Sequence, residues 1–247
     1  MLAPMTLRAA EAIVAVVAQP ATRTRDVLLV TLTVSTGAVD AISWLGLDKV
    51  FSAFMTGNLV FFGVRASGGA GPSLPRVVAA VVAFAVGAVL AGRLVRRAPG
   101  DGEAWPERVT LALAAALLAQ AAFFAVWAAV GGRPSTSAGH VLIAISALAM
   151  GMQTAAVFAL GVRAVFTTAA TATLAVLMGD LAGWAQSRGE RARLASLIAA
   201  LVAGAAIGAL LFDHALRWAP LFPLALTTLV VASSVEQPLS LEARRST

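Results

Sequence analysis

The sequence predicts an all-α fold, a polytopic transmembrane helical bundle of six to eight hydrophobic segments. Composition is the first reason: 60% of the 247 residues are hydrophobic and 12% are charged, against about 45–50% and about 25% in soluble domains. Segment length is the second, because a helix needs about 20 apolar residues to cross a hydrocarbon core about 30 Å thick. A third reason is an internal similarity between the two halves of the chain. The lipid bilayer is therefore the expected surroundings of most of the protein.

Residues 1–26 are expected to form a cytoplasmic or interfacial lead-in that precedes the first span. Its apolar stretch at 9–18 contains Glu11, and Arg8 is the only basic residue close to it. Cleavable signal peptides combine a positive segment with an uninterrupted apolar one, so this segment is a poor candidate. Arg23 and Arg25 are expected to mark the cytoplasmic flank of the first span, since cytoplasmic loops are enriched in basic residues.

Hydrophobic segments of two kinds follow along the chain. The long and almost uninterrupted ones predict full spans and lie at 27–47, 77–92, 111–130, 141–160 and 194–212. The weaker ones lie at 51–64, 164–186 and 218–232. The segments at 51–64 and 164–186 are expected to be short or broken, because polar residues interrupt them.

The chain divides into two similar halves of one membrane domain, 27–131 and 138–234, followed by a polar tail at 235–247. The landmarks keep their order: 37–41 (GAVDA) aligns with 151–155 (GMQTA), 50–51 (VF) with 165–166 (VF), and 56–59 (TGNL) with 171–174 (TATL). Internal duplication is common in transporter folds. Small residues at four-residue spacing then recur in both halves and predict close helix packing, at Ala83, Gly87 and Ala91 and at Ala200, Gly204 and Gly208.

The distribution of basic residues predicts the topology. If 51–64 and 164–186 enter the membrane and return, 13 of the 18 basic residues lie on the cytoplasmic side. Eight full crossings would place only 11 there. The positive-inside rule thus favours six crossings and a cytoplasmic N-terminus, with eight crossings left as the alternative. Three crossings in each half would make the halves inverted, and four would make them parallel.

Asp40 is the first candidate for function, because it lies within an apolar span, where a carboxylate costs about 2.5–3.5 kcal/mol. It belongs to a polar stripe at helical spacing that also contains Thr36 and Ser43. One interpretation is a protonatable or cation-binding carboxylate that lines a pathway. The other is a structural carboxylate, neutralised by a proton or an arginine, or located at the membrane surface.

The second group of candidates is Thr56, Gly57 and Asn58, which interrupt a segment that is already short. Broken segments at matching places in two halves indicate a transporter site, because unwound backbone can bind a ligand. Their expected partners from the second half are Gln153, Thr154 and Thr171. The alternative is a capped helix start or close packing at Gly57. Gln120 is interpreted as an interhelical hydrogen bonder and Asp180 as a surface carboxylate.

The sequence offers little for catalysis, metals or nucleic acid. It has no cysteine and two histidines, so thiolate chemistry and His-rich metal sites are excluded. It contains no nucleophile elbow, phosphate-binding loop or zinc-protease motif. No cofactor, metal, nucleic-acid partner or enzymatic activity is expected. The oligomeric state and the substrate do not follow from the sequence.

The GAVDA segment at 37–41, the VF pair at 50–51 and the MTGNLV segment at 55–60 resemble landmarks of the YoaK-like family. This is a family of bacterial multipass inner-membrane proteins of unknown function. The similarity runs from about residue 27 to residue 231, and AMGMQ at 149–153 resembles a second-half landmark. Family members usually carry Thr-Gly where this chain has Thr171-Ala172. The resemblance implies a location in the bacterial inner membrane and says nothing of a substrate.

Three functions remain open from the sequence. A small-solute permease with a central site between the halves is favoured by Asp40, the broken segment and the duplication. A non-transporting scaffold or partner-binding subunit would use the same small and polar residues only to hold helices together. A membrane-embedded enzyme comes third, because no acid–base or nucleophile set is visible.

Overall fold

The computed structural model describes residues 3–96, 105–162, 170–179 and 188–245, and for 3–22, 188 and 236–245 the backbone alone. The predicted all-α fold is confirmed, since the described residues form eight helices and no strand. The helices are α1 (Ala3–Gly46), α2 (Met55–Ala66), α3 (Leu74–Leu94), α4 (Glu107–Ala129), α5 (Thr136–Ala159), α6 (Ala170–Gly179), α7 (Arg188–His214) and α8 (Leu221–Arg245).

Five of these helices are long and apolar enough to cross a membrane, at Arg23–Gly46, Leu74–Leu94, Glu107–Ala129, Thr136–Ala159 and Gly189–His214. Their outward faces carry large apolar side chains, such as Leu118, which is 73% exposed, and Val202, which is 64% exposed. Lipid is the solvent in which such faces are stable. Two expected non-spanning regions are also helical: α1 begins at Ala3 within the lead-in, and α8 continues into the tail.

Glycines bring α1 and α7 into backbone contact. A side chain at Gly37 would collide with the carbonyl oxygen of Leu201, and one at Gly204 with that of Val34. Farther along, Gly208 lies against Ala38. From Val34 against Gly204 to Ala38 against Gly208, the residue numbers rise together on both helices, so α1 and α7 run in the same direction.

A second pair of glycines brings α3 and α5 together in the same manner. A side chain at Gly87 would collide with the carbonyl oxygen of Leu148, and one at Gly151 with that of Phe84. The starts of the two helices also meet, because Arg76 Nη2 donates to the carbonyl oxygen of Thr136 at 3.4 Å. These helices therefore run in the same direction too. The alanines of the two small-residue ladders are buried or half-buried at Ala83, Ala91 and Ala200.

A tryptophan lies at each end of the bundle, and we name the two ends after Trp127 and Trp105. At the Trp127 end, where α4 finishes, the Trp127 indole donates to the carbonyl oxygen of Leu216 at 2.8 Å. Gly46, the last residue of α1, lies against the same ring. At the Trp105 end, the Trp105 indole donates to Thr110 Oγ1 at 3.0 Å. An apolar cluster there joins the first turns of the span Arg23–Gly46 to the last turns of α3 and α5.

The segment around α2 enters the bundle and returns to the end from which it came. Asp48, just after α1, accepts a hydrogen bond at 2.8 Å from the backbone N–H of Ser73, just before α3. Asp48 also pairs with Arg76 at 3.9 Å. The 12 residues of α2 span only about 18 Å, which is too short to cross. A returning segment at this place is one of the two that a topology of six crossings requires.

The helices that precede and follow α6, which are α5 and α7, both contribute to the apolar cluster at the opposite, Trp105 end. Val157, near the end of α5, and Leu197, in the first half of α7, belong to the same apolar cluster. Of the predicted broken segment at 164–186, only α6 is described, and Asp180 lies outside the described residues. The helices that flank α2 thus approach each other at the Trp127 end, whereas those that flank α6 share a cluster at the Trp105 end.

Candidate functional site

Asp40 holds the chain that leads into α2. Its Oδ1 atom accepts hydrogen bonds from the backbone N–H groups of Ser52 at 2.9 Å and Ala53 at 2.7 Å. Both donors belong to buried residues outside any helix, where an unsatisfied N–H would be costly. Charged acceptors make such bonds stronger than neutral ones do. One role of Asp40 is therefore structural, since it fixes this loop beside α1.

Asn58 holds the same loop from the side of α2. Its Oδ1 accepts from the backbone N–H of Phe51 at 3.1 Å, and its Nδ2 donates to the carbonyl oxygen of Phe51 at 2.7 Å. The side chain is fully buried. The oxygen and the nitrogen of the amide both bond to the backbone of Phe51, so Asn58 shapes the loop.

Replacing Asn58 with aspartate is expected to destabilise the protein by about 2 kcal/mol or more, because a carboxylate cannot donate to the Phe51 carbonyl and would face it as a second acceptor. The thermal unfolding temperature of the purified protein in detergent measures the effect. Thr56→Ala, two residues earlier on an exposed side chain, is the control and should change this temperature little. Equal stability of both variants would contradict the role assigned to the amide.

Aromatic rings surround the loop. Trp44 stacks on Phe51 with 4.6 Å between ring centroids, and Phe54 meets Phe51 edge-on at 5.2 Å. The ring of Phe61, on α2, completes the group at 6.4 Å from Phe51 and 5.9 Å from Trp44. Gly57 leaves the space that Phe54 fills, since a side chain there would come within 2.7 Å of that ring. Close packing against Phe54 is sufficient to explain this glycine.

A cavity of about 580 Å³ opens between α1, the loop at 51–54, α6 and α7, and we call it the Asp40 cavity. It brings together Asp40 and Thr171, two of the predicted site residues, from opposite halves of the chain. The complete described lining consists of Thr36, Gly37, Asp40, Ala41, Trp44, Leu45, Phe51, Phe54, Ala170, Thr171, Leu201, Ala205 and Ala209.

The other predicted site residues lie outside this lining. Ser43 donates to the carbonyl oxygen of Asp40 at 3.1 Å, within its own helix. Gln153 is fully buried and donates to Thr36 Oγ1 at 2.8 Å, so it supports the cavity wall from behind. Thr154 donates to the carbonyl oxygen of Met150 at 2.7 Å.

Gln120 differs from its expected role. Both of its side-chain amide atoms are buried without a hydrogen-bond partner among the described residues. It borders a cavity of about 20 Å³ between α1, α4, α5 and the start of α8, together with Ser146. A space of this size can hold one water molecule. The described residues thus do not form the interhelical hydrogen bond that was predicted for Gln120.

The residues that sequence reasoning missed are the cavity-lining ones of α7 and the aromatic ring of Phe54. Ala205 and Ala209 each follow a glycine of the predicted ladder, Gly204 and Gly208. The ladder predicts where α1 and α7 touch, and the adjacent positions necessarily border the space next to that contact. Among the described residues, no group of three or more His, Cys, Asp or Glu side chains could hold a metal ion.

Comparisons with known proteins agree with this architecture. The family model described as a protein of unknown function, DUF1275, matches residues 28–233. The UPF0700 transmembrane protein YoaK of Bacillus subtilis (strain 168) is 33% identical over 159 residues, which are 64% of this chain and 68% of that protein. No solved structure matches the chain. The chain therefore belongs to the DUF1275 family and is similar to the transmembrane protein YoaK.

Proposed function

We propose that this protein transports a small solute and that the Asp40 cavity is its binding site. The observation that carries the proposal is a carboxylate within the span Arg23–Gly46 that borders a cavity built from both halves of the chain. A carboxylate at membrane depth is costly, and such residues usually face a water-filled space or a substrate pathway. Asp40 takes part in none of the ion pairs between described residues.

Matching contacts in the two halves support an inverted repeat. Gly37 aligns with Gly151 and Gly87 with Gly204, and these four glycines form the two backbone contacts, α1 with α7 and α3 with α5. Each contact thus joins the first helix of one half to the third described helix of the other. The short helices α2 and α6 hold matching places in the two halves, each between the first and the third helix of its half. Inverted repeats with short segments near a central site are characteristic of secondary transporters.

Charge distribution supports an orientation with the Trp105 end in the cytoplasm. In the topology of six crossings, 13 of the 18 basic residues of the sequence fall on that side of the membrane, as expected of a cytoplasmic face. The N-terminus would then be cytoplasmic, and the membrane would be the bacterial inner membrane. Asp40 lies six residues before Gly46, or about 9 Å along the helix axis, so the cavity is closer to the outer face.

Cysteine accessibility tests the proposal, because the chain has no natural cysteine. We expect single cysteines replacing Ala41 and Ala209, both in the cavity lining, to react with a membrane-impermeant maleimide. Cysteines replacing Ala112 and Ala147, which are fully buried in packed regions, should not react. The exposed loop residue Ser67 provides the positive control.

If neither cavity cysteine is labelled while Ser67→Cys reacts normally, the result would contradict a water-filled site. It would favour the other function considered, a non-transporting scaffold or partner-binding subunit with a dry interior. That alternative further requires a protein that copurifies in a fixed ratio with this chain.

A further inference from the structure

The described lining of the Asp40 cavity contains one acidic side chain, no basic side chain and mostly apolar residues. Asp40 contributes its only ionisable side chain, and no arginine, lysine or histidine is present among the described lining residues. Two threonines and one tryptophan supply the other polar side-chain groups, and the remaining lining residues are apolar. A ligand that complements this cavity carries a positive charge and otherwise presents apolar surface.

A bare inorganic cation fits the cavity poorly. Divalent cations such as calcium take six to eight oxygen ligands in proteins, and the lining offers few free oxygens. The Thr36 hydroxyl already accepts from Gln153 at 2.8 Å and donates to the carbonyl oxygen of Leu32 at 2.9 Å. Oδ1 of Asp40 is occupied by two backbone N–H groups. The donor set is too small to replace a hydration shell.

Aromatic rings in the lining can bind an organic cation through cation–π interactions. Trp44, Phe51 and Phe54 all contribute to the lining, and aromatic faces attract cations within about 6 Å of the ring centroid. The Trp44 ring already has one such neighbour, because Lys49 Nζ lies 5.5 Å from its centroid. Lys49 is exposed and outside the cavity lining, so solvent screens its repulsion of a bound cation.

We infer that the Asp40 cavity binds an organic cation, an ammonium or phosphonium group attached to an apolar body, with Asp40 as its counter-ion and the aromatic rings around it. This inference rests on the proposed function and specifies its substrate class. The volume of about 580 Å³ is within the range of about 300–1,000 Å³ of small-molecule sites.

Tetraphenylphosphonium and tetraphenylborate provide the test, because they share size and shape and differ in the sign of the charge. Equilibrium dialysis with the purified full chain in detergent measures the saturable binding of each. We expect the cation to bind at least about tenfold more tightly than the anion, since only the cation is attracted by the carboxylate. Equal binding of the two ions, or no saturable binding of the cation, would overturn the inference.

Two variants locate the site. Asp40→Asn should weaken cation binding at least about tenfold through loss of the charge, while Asp213→Asn, at an exposed carboxylate near the end of α7, should not change it. If Asp40→Asn does not fold, Ala209→Phe fills the cavity and leaves Asp40 in place. Unchanged cation binding by either folded variant would show that the ion binds elsewhere and would overturn the inference.

Cysteine labelling separates the two proposals. Labelling at positions 41 and 209 without cation binding would reject an organic cation while a transported solute of another class remained tenable. Failure of both labelling and binding would reject the transport site itself. Protection of the cysteine at 209 by tetraphenylphosphonium, but not by tetraphenylborate, is the result expected if both are correct.

Discussion

Gly87→Ala is expected to destabilise the bundle by about 2–3 kcal/mol, at the upper end of the usual effect of overpacking. The added methyl group would collide with the carbonyl oxygen of Leu148 and the backbone nitrogen of Met152. Both obstacles are backbone atoms of α5, so no side-chain rotation relieves the collision. The two helices must separate along their contact, and the dispersion attraction between their backbones weakens.

Gly92→Ala is the matched control on the same helix. No atom lies within 4 Å of a side chain built at Gly92, and alanine is favoured over glycine within a helix by about 0.5–1 kcal/mol. Thermal unfolding in detergent should therefore show a lower transition temperature for Gly87→Ala and an equal or slightly higher one for Gly92→Ala. The same unfolding temperature for both variants would mean that α3 and α5 do not approach as described.

A double variant tests whether the two glycines act in one contact. Gly151→Ala would meet the carbonyl oxygen of Phe84 and the backbone nitrogen of Ala88, within the same α3–α5 seam. Once the helices have separated for the first methyl group, the second requires little additional movement. The loss of stability in Gly87→Ala/Gly151→Ala should therefore be smaller than the sum of the single losses, as is usual for neighbouring residues.

The sequence predicted the features that depend on local apolar length. Five spans and the short segment at α2 follow from the number of apolar residues available to cross a bilayer. The glycine ladders also predicted real contacts, because only small residues allow backbones to touch at Gly87 and Gly204. What it could not predict was which helix each ladder meets, since the partner of Gly204 lies on α1, at the far end of the sequence.

The candidate site was harder to predict than the spans. Asp40 could be singled out because a carboxylate in an apolar span is rare and costly. Asn58 was expected to face a ligand, yet its amide forms hydrogen bonds with the backbone of Phe51. These bonds depend on the conformation of the loop, and a loop leaves no periodic pattern in the sequence from which it could be predicted. The shape of the cavity depends on the packing of α1 against α7 and of the loop against both helices. Amino-acid composition does not predict that packing.

The variants of Asp40 are expected to separate its structural role from its role in binding. Asp40→Ala removes the acceptor of two buried backbone N–H groups, those of Ser52 and Ala53. Leaving buried donors unsatisfied costs about 1–3 kcal/mol each, so a loss of roughly 3 kcal/mol and a disordered loop at 51–54 are expected. Thermal unfolding and proteolysis at this loop measure the two effects.

Asp40→Asn keeps an oxygen acceptor at the same place and removes only the charge. Its carbonyl oxygen can still accept from Ser52 and Ala53, as neutral hydrogen bonds that are weaker than charged ones. The variant should therefore unfold at nearly the wild-type temperature and resist proteolysis at 51–54, while its cation binding falls. If Asp40→Asn instead binds the cation as tightly as the wild type, the negative charge of Asp40 does not contribute to binding. The hydrogen bonds from Ser52 and Ala53 are then sufficient to explain why this span contains a carboxylate.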